Sequence, residues 1–349
     1  MYHSHLLINT GDNPDRVDWQ RTRAWLRNLY RVHQRLCMAF PDADTALVGK
    51  SEAERFAEYC KPFQPPLGPD AIDATDDDPG DVHTPRTGER GFLYRIDYPV
   101  LGSMRKPVII VQSATRPDWD HAFGLNPGSG ARPFTPPKGN ADFLLAAPPQ
   151  VRRVEFESFG GALHLKAWEL DRYDDSATLP DASRAHAAQP GDELWFLLRA
   201  NVIETRAGKD GKRGRHRLRI DDGLMRAYED ATTTEARQEA ARRVEEARRE
   251  VHLDWLQRKL GGAAELVRKT LDDPKREHPL VETGWAHASR GDYDRGGKTA
   301  KEDMKWWAVT YKGKLIVKDP VKLRSLIMSG IGPAKAFGFG LLSVAPVLE

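Results

Sequence analysis

At 349 residues, with 40% apolar and 30% charged side chains, the chain is long enough for two compact domains and too apolar to be disordered throughout. Its formal net charge of +2 excludes nucleic-acid binding by bulk positive charge, so any such surface must come from local clusters. Cys37 and Cys60 lack CxxC spacing, which argues against a disulfide framework or zinc site and fits a reducing cytoplasm.

The opening MYHSHLLINT is too short and polar for a signal peptide, and no apolar run approaches the roughly 18 residues of a membrane helix. Residues 2–9 read as a strand, and 18–40 as a helix stopped by Pro41. Leu26, Leu29, Tyr30, His33, Leu36, Cys37 and Phe40 make one stripe of that helix. Arg23, Arg27, Arg31 and Arg35 form a row beside it, which on spacing alone is a solvated face. Residues 42–90, rich in Pro, Asp and Gly, read as a loop insertion. Strands follow at 91–97 and 107–113, a Pro/Gly-rich stretch at 124–140, strands at 152–158 and 163–170, and a polar linker at 171–191.

Residues 193–203, ELWFLLRANVI, are the strongest strand candidate. A helical region spans 223–260, and its charged middle, EARQEAARRVEEARRE, reads as a solvent-exposed extension. Strands at 281–288 and 304–311, a short helix at 320–329 and a last strand at 336–345 complete the chain. Each half runs strand, helix, strand, strand, helix, strand, with the second helix of the first half weak. That order predicts an α+β fold of tandem ferredoxin-like (RRM-like) domains with antiparallel sheets, 1–188 and 189–349. Insertions fall at about 42–90 and 116–150 in the first and about 226–250 in the second.

Three segments carry candidate chemistry. Residues 204–219 hold Arg206, Lys209, Lys212, Arg213, Arg215, Arg217 and Arg219 against Glu204 and Asp210, with glycines at 208, 211 and 214 to turn the tip. Such a hairpin suits phosphates, whose neutralisation releases counterions; a mobile, solvated loop explains the same residues. The segment with Gly330, Gly332, Lys335, Gly338 and Gly340 could bring amides and a cation to an anion, or simply turn before a strand. It is not a nucleotide-binding loop, and neither is GDYDRGGKT at 291–299, which has Asp292 where the first glycine belongs. Tyr30 and His33 are helical neighbours, and such a pair can move protons near neutral pH. His33 also lies on the apolar stripe, where a core histidine is the plainer reading. No metal-ligand spacing such as HExxH occurs.

Together these residues resemble the CasE (Cse3) family, the CRISPR RNA endoribonucleases of type I-E Cascade complexes. The resemblance rests on GIGPAKAFGFGLLSVAP (330–346), LRAN (198–201), WLQRKLGGAA (255–264), NLYRVHQRLCMAFP (28–41), the opening strand and PVIIVQSA (107–114). These motifs keep the family's order and cover roughly 170–200 residues. The resemblance implies cleavage of the CRISPR repeat transcript at the base of its hairpin, without metal or cofactor, by an enzyme that stays bound as a Cascade subunit. Its partners would be the repeat RNA hairpin and other Cascade subunits, with target DNA met only through the complex and no membrane. His33 stands at the family's catalytic histidine and Tyr30 at its partner tyrosine, so the helix stripe should meet the RNA groove at His33. Lys298 is a third candidate, although Gly296-Gly297-Lys298 matches the family's basic loop only loosely. Arg27, Arg31 and Arg35 would flank the cut, Arg199 and the hairpin cations would contact RNA, and Lys335 would hold backbone phosphates. The chain is longer than typical members, with the excess at 42–90, 116–150, 171–191 and 226–250. A non-catalytic hairpin-RNA-binding subunit is the alternative; a metal-dependent nuclease lacks ligand spacing.

Overall fold

The computed structural model describes residues 1–10, 19–40, 92–98, 100–101, 104–114, 116–123, 144–147, 149–159, 162–169, 186–207, 213–268, 279–289, 294–295, 298–299 and 303–347. The first half contains β1 (Tyr2–Leu7), α1 (Trp19–Arg27), α2 (Leu29–Cys37), β2 (Phe92–Asp97), β3 (Val100–Leu101), β4 (Met104–Arg105) and β5 (Val108–Ser113). It continues through α3 (Trp119–Phe123), β6 (Gln150–Phe159), β7 (Ala162–Glu169) and β8 (His186–Ala188). The second half opens with β9 (Glu193–Asn201), β10 (Glu204–Ala207), β11 (Arg213–His216), α4 (Asp222–Glu229) and α5 (Thr234–Leu260). It closes with β12 (Ala264–Leu266), β13 (Leu280–Ser289), β14 (Asp294–Arg295), β15 (Lys298–Thr299), β16 (Asp303–Val317), α6 (Pro320–Ser329) and β17 (Leu342–Pro346).

The first sheet runs β2-β5-β1-β6-β7-β8 and the second β12-β16-β9-β17, with β13 pairing β16 beside β12. Every pairing in both is antiparallel. In each sheet the second and first strands of the unit lie on either side of the third, and the fourth lies beyond the first. This is the strand order of a ferredoxin-like unit, used twice. Strands one and two run parallel, so a crossover must join them. Helices α1 and α2 supply it in the first half, and α5 in the second.

Several boundaries differ from the sequence expectation, each for a local reason. The helix expected over 18–40 breaks at Asn28, whose extended backbone lets its side chain accept from Tyr30 N at 3.2 Å. Asn competes with a helical backbone in just this way. The region 223–260 is likewise two helices: Asp221 caps α4, Thr233 caps α5, and Gly261 ends α5 in a left-handed conformation. Glu239, Arg242, Arg243 and Glu246 pair along the exposed part of α5, while Leu253, Trp255, Leu256 and Leu260 near its end are buried. β16 runs to Val317, well past the expected 311, because its second part carries β12. A 3-10 turn, Lys335–Phe337, takes the place of the start of the last strand. The expected linker 171–191 ends in β8; the insertion at 42–90 lies outside the described residues, as does 124–143 of the one at about 116–150, whose start carries α3.

Two cores interlock across the halves. The first gathers Leu6, Val32, Leu36, Phe92 and Ile109, but also Ala286, Ala288, Ala308 and Phe339 from the second half. The second joins Leu194, Phe196 and Leu198 of β9 to Trp255, Leu256 and Tyr311, and takes in Ala188. Arg95, 3% exposed, clasps the two. It pairs with Asp97 at 2.6 and 2.8 Å and donates to Leu197 O at 3.0 Å and Leu341 O at 2.9 Å. Gln112 Nε2 adds a bond to Ile327 O at 2.7 Å.

Candidate nucleic-acid interface

α2 carries Tyr30 and His33. Its apolar face buries Leu29, Val32, Leu36 and Cys37 against the first core, and His33 goes with them: the ring is 1% exposed. The imidazole stacks on Phe92 (5.6 Å between centroids) and Tyr94 (6.5 Å), with Phe337 at 6.1 Å. Its Nε2 is 3.5 Å from Cys37 Sγ. The Tyr94 hydroxyl donates to Leu29 O at 3.2 Å and ties β2 to the start of the helix. Tyr30 is half-buried against the same core. The expectation that the stripe meets a groove at His33 is therefore not what this arrangement presents; the stripe faces the interior along its length. The resemblance nevertheless has a geometric counterpart, because α2 and the glycine segment, from opposite ends of the chain, meet at His33 and Phe337.

That glycine segment is a packing device first. A Cβ on Gly338 would stand 3.0 Å from the Tyr94 ring, and one on Gly330 would stand 2.9 Å from a Leu93 methyl. Both glycines have φ near +80°, at +79° and +76°, which a side chain disfavours. The amides offered by the sequence as anion ligands are in part already used. Gly330 N donates to Leu326 O, Ile331 N to Gly340 O, Phe337 N to Ala334 O and Gly340 N to Arg199 O. Gly332 packs beside the Trp255 ring, and Lys335 is buried at 7% exposure.

The arginines separate into exposed and anchored groups. Arg27 and Arg31 are exposed, whereas Arg35 is half-buried and donates to Ala122 O at 3.1 Å. Arg199 lies 5.5 Å over the Phe339 ring, and burial lowers its pKa from the usual guanidinium value. It lines a cleft of about 1260 Å³ between the two sheets, with Lys312 and Thr310 on its own side and His5, Tyr98 and Gln150 opposite. Burial also pushes the His5 imidazole down, assisted by Arg152.

The basic segment forms the expected hairpin. β10 and β11 pair from Glu204↔His216 to Ala207↔Arg213, with backbone only for Arg206, Arg213 and Arg215; the tip with Lys209 and Lys212 lies outside the described residues. Lys298 pairs with Arg295 in the β14–β15 ladder, and its side chain is outside the description, as are Gly296 and Gly297. Arg219 is exposed. Arg217, at the root of the hairpin, sets its guanidinium 3.8 Å over Trp285 and 4.8 Å over Trp307. The two indoles are register partners, T-shaped at 5.3 Å. Sequence reading missed Trp285; the signal was its alternation with Ala286 and Ala288, which face the first core and turn the tryptophan outward. His33 and Arg217 consequently lie on opposite sides of the β13–β16 ribbon.

Among the described residues, no helix is long and apolar enough to cross a membrane. The family model described as CRISPR associated protein matches residues 162–346. The "CRISPR system Cascade subunit CasE" of Escherichia coli is 32% identical over 160 residues, 46% of this chain and 61% of that protein. The "CRISPR-associated endoribonuclease Cse3" of Thermus thermophilus is 42% identical over 52 residues, 15% of this chain and 25% of that protein. The chain thus spans less than two thirds of the length of these curated relatives. A solved structure of CRISPR endoribonuclease Cse3 bound to 19 nt RNA superposes with a TM-score of 0.44 at 21% identity, over 99% of this chain and 100% of that one.

Proposed function

The chain belongs to the CRISPR associated protein family whose model spans its C-terminal half, and from there we propose that it is a CRISPR RNA-processing endoribonuclease that acts in the cytoplasm. On this reading it binds the repeat hairpin, cuts the precursor at the stem base and stays on the product as a Cascade subunit. An N-terminal ferredoxin-like domain, 1–188, carries the helix with His33, and a C-terminal one, 189–349, carries the basic hairpin and glycine segment. The observation that carries the reading is the meeting of α2 with the glycine segment at His33 and Phe337, since these are the most specific motifs of the resemblance.

RNA brings its own nucleophile, the 2′-hydroxyl. Deprotonating it, aligning it with phosphorus and protonating the departing 5′-oxygen suffices without a metal. The products are then a 2′,3′-cyclic phosphate and a 5′-hydroxyl. His33 is the proposed general acid or base, Tyr30 orients the sugar or shares the proton transfer, and Lys298 offsets charge on the phosphorane. Because His33 is closed beneath Phe337, RNA binding has to displace that ring before the imidazole can act. Arg27, Arg31, Arg199, Arg206, Arg213, Arg215, Arg217 and Arg219 are proposed to hold phosphates, joined by Lys209 and Lys212 at the tip; Arg35 and Lys335 need the same local opening.

The test is cleavage of a repeat RNA in EDTA by the wild type and by His33→Ala. Loss in EDTA removes the metal-free route, and full activity of His33→Ala removes the proposed role of the histidine. One observation favours a second reading, a non-catalytic hairpin-RNA-binding subunit: the burial of His33 among aromatic rings. Single-turnover assays separate the two, because only the first gives product.

A further inference from the structure

Trp285 is a large apolar side chain left 49% exposed on a strand whose Ala286 and Ala288, facing the other way, are buried. It is held on one side by the Arg217 guanidinium at 3.8 Å and on another by the edge of Trp307 at 5.3 Å. Trp307 is itself fixed from behind, its Nε1 donating to His252 Nε2 at 3.4 Å. The indole is therefore positioned rather than loose. The next register pair along the ribbon on the same face is His287↔Lys305, and both residues are exposed. A strip thus runs from the root of the most basic segment of the chain: cation, indole pair, then histidine and lysine.

We propose that Trp285, with Arg217, stacks an unpaired nucleobase of the bound RNA where the strand leaves the stem, while Lys305 and His287 meet the adjoining phosphate. The proposal rests on the reading of the chain as an RNA-binding protein and adds a single-stranded subsite to it. Three features select a nucleobase. An exposed indole offers a flat face that any base can stack on, and guanidinium planes stack bases equally well. The strip adjoins a hairpin dense in cations, so a polyanion is drawn to it. Successive side chains on one face of a strand are about 7 Å apart, close to the spacing of nucleotides in an extended strand. The β13–β16 ribbon also puts this face opposite the one that packs on α2, and Trp285 borders the inter-sheet cleft that Arg199 and Lys312 line, so the flank would lead from the ribbon towards that cleft.

The experiment uses the full chain and two synthetic stem-loop RNAs with deoxyribose at the stem base, which removes the nucleophile. One carries an unpaired flank with its bases, and the other the same flank made abasic, with every phosphate kept. Wild type should prefer the flank with bases by about five- to tenfold, the value of one stacked base towards the low end. Trp285→Ala should erase that preference at the cost of only the small fall in melting temperature that losing its contacts with Arg217 and Trp307 entails, and Trp285→Phe should keep most of it. Lys305→Ala should weaken both RNAs equally and reduce the salt slope by about one phosphate's worth. If wild type binds both flanks equally, or Trp285→Ala keeps the preference, the subsite is overturned and the indole belongs to a protein contact, while salt-dependent stem-loop binding leaves the RNA-binding reading standing. If wild type binds neither RNA, both fall together.

Discussion

Phe337 covers His33, with ring centroids 6.1 Å apart, and Trp306 backs the phenyl ring at 4.4 Å. Both aromatic residues come from the second half of the chain and the histidine from the first, so access to the imidazole is governed by how the halves meet. Phe337→Ala should open the cage. Acylation of His33 by diethyl pyrocarbonate, read by mass spectrometry, should accelerate by roughly tenfold if opening becomes easier by about 1.4 kcal/mol. The same change should cost about 1–3 kcal/mol of stability, since the ring is only partly buried. An unaltered acylation rate would mean that another group is the cover.

The clasp at Arg95 makes a sharper stability prediction. Its guanidinium satisfies Asp97 and two carbonyls of the second half, Leu197 O and Leu341 O, in a buried position. Arg95→Met keeps most of the volume and strands all three acceptors. The loss should be about 3–5 kcal/mol, as for a buried charge deprived of its partner. Guanidinium titration reads it. A loss under 1 kcal/mol would mean that water replaces the arginine.

Much of the architecture was legible because alternation on β9 and the helical stripe on α2 are strong local signals. Leu194, Phe196, Leu198 and Ala200 point one way along β9, as the pattern predicts. The break at Asn28 was hidden because an asparagine inside a long apolar stripe does not outweigh its neighbours until the side chain finds Tyr30 N. The environment of His33 was not legible from resemblance. Periodicity placed the ring on the buried stripe, and the structure agrees with the periodicity, because the cage is completed by Phe337 more than three hundred positions away. The same non-local pairing hid Trp285, whose partners Trp307 and Arg217 are set by register and by the fold of the hairpin root.

Arg213 and Arg215 lie on the returning strand of the basic hairpin. Replacing both with Ala should weaken stem-loop RNA binding across sequences and flatten the dependence of log affinity on log salt by about 1.4–1.8, at 0.7–0.9 per phosphate. An unchanged slope would move the electrostatic footprint elsewhere.

Gly338 sits at φ +79° with the Tyr94 ring 3.0 Å from where a Cβ would be. Gly338→Ala meets both a disfavoured backbone, about 1–2 kcal/mol, and a ring that is tied down by its hydroxyl bond to Leu29 O. The melting temperature should fall by more than the backbone alone requires. The double variant Gly338→Ala with Tyr94→Leu should be less destabilised than the sum of the two single changes, because the contact is then relieved while the backbone strain stays.

His3, half-buried, and His252, buried, give stability a pH dependence of known sign. His3 is lowered to about 4 by burial, against the opposing bond to Gln112 at 3.0 Å, and His252 to about 4 by burial and then by Arg248. His252 Nε2 accepts from the Trp307 indole, a contact that only a neutral ring can make. Both folded values lie below the unfolded 6.5, so the unfolded chain binds more protons between them. Stability from these groups is therefore complete above about pH 6.5, falls as the pH drops towards 4, and changes no further below that; each histidine contributes at most roughly 3 kcal/mol. Between about pH 6.5 and 5 most carboxylates remain ionised, so the histidines set the slope there. His252→Gln keeps an acceptor for Trp307 and cannot take up the proton. Its unfolding free energy, measured at intervals across that range, should show a smaller slope than the wild type's, the remainder coming from His3 and His5. A slope equal to the wild type's would show that His252 is already neutral to the same extent in the unfolded chain or is not buried in solution.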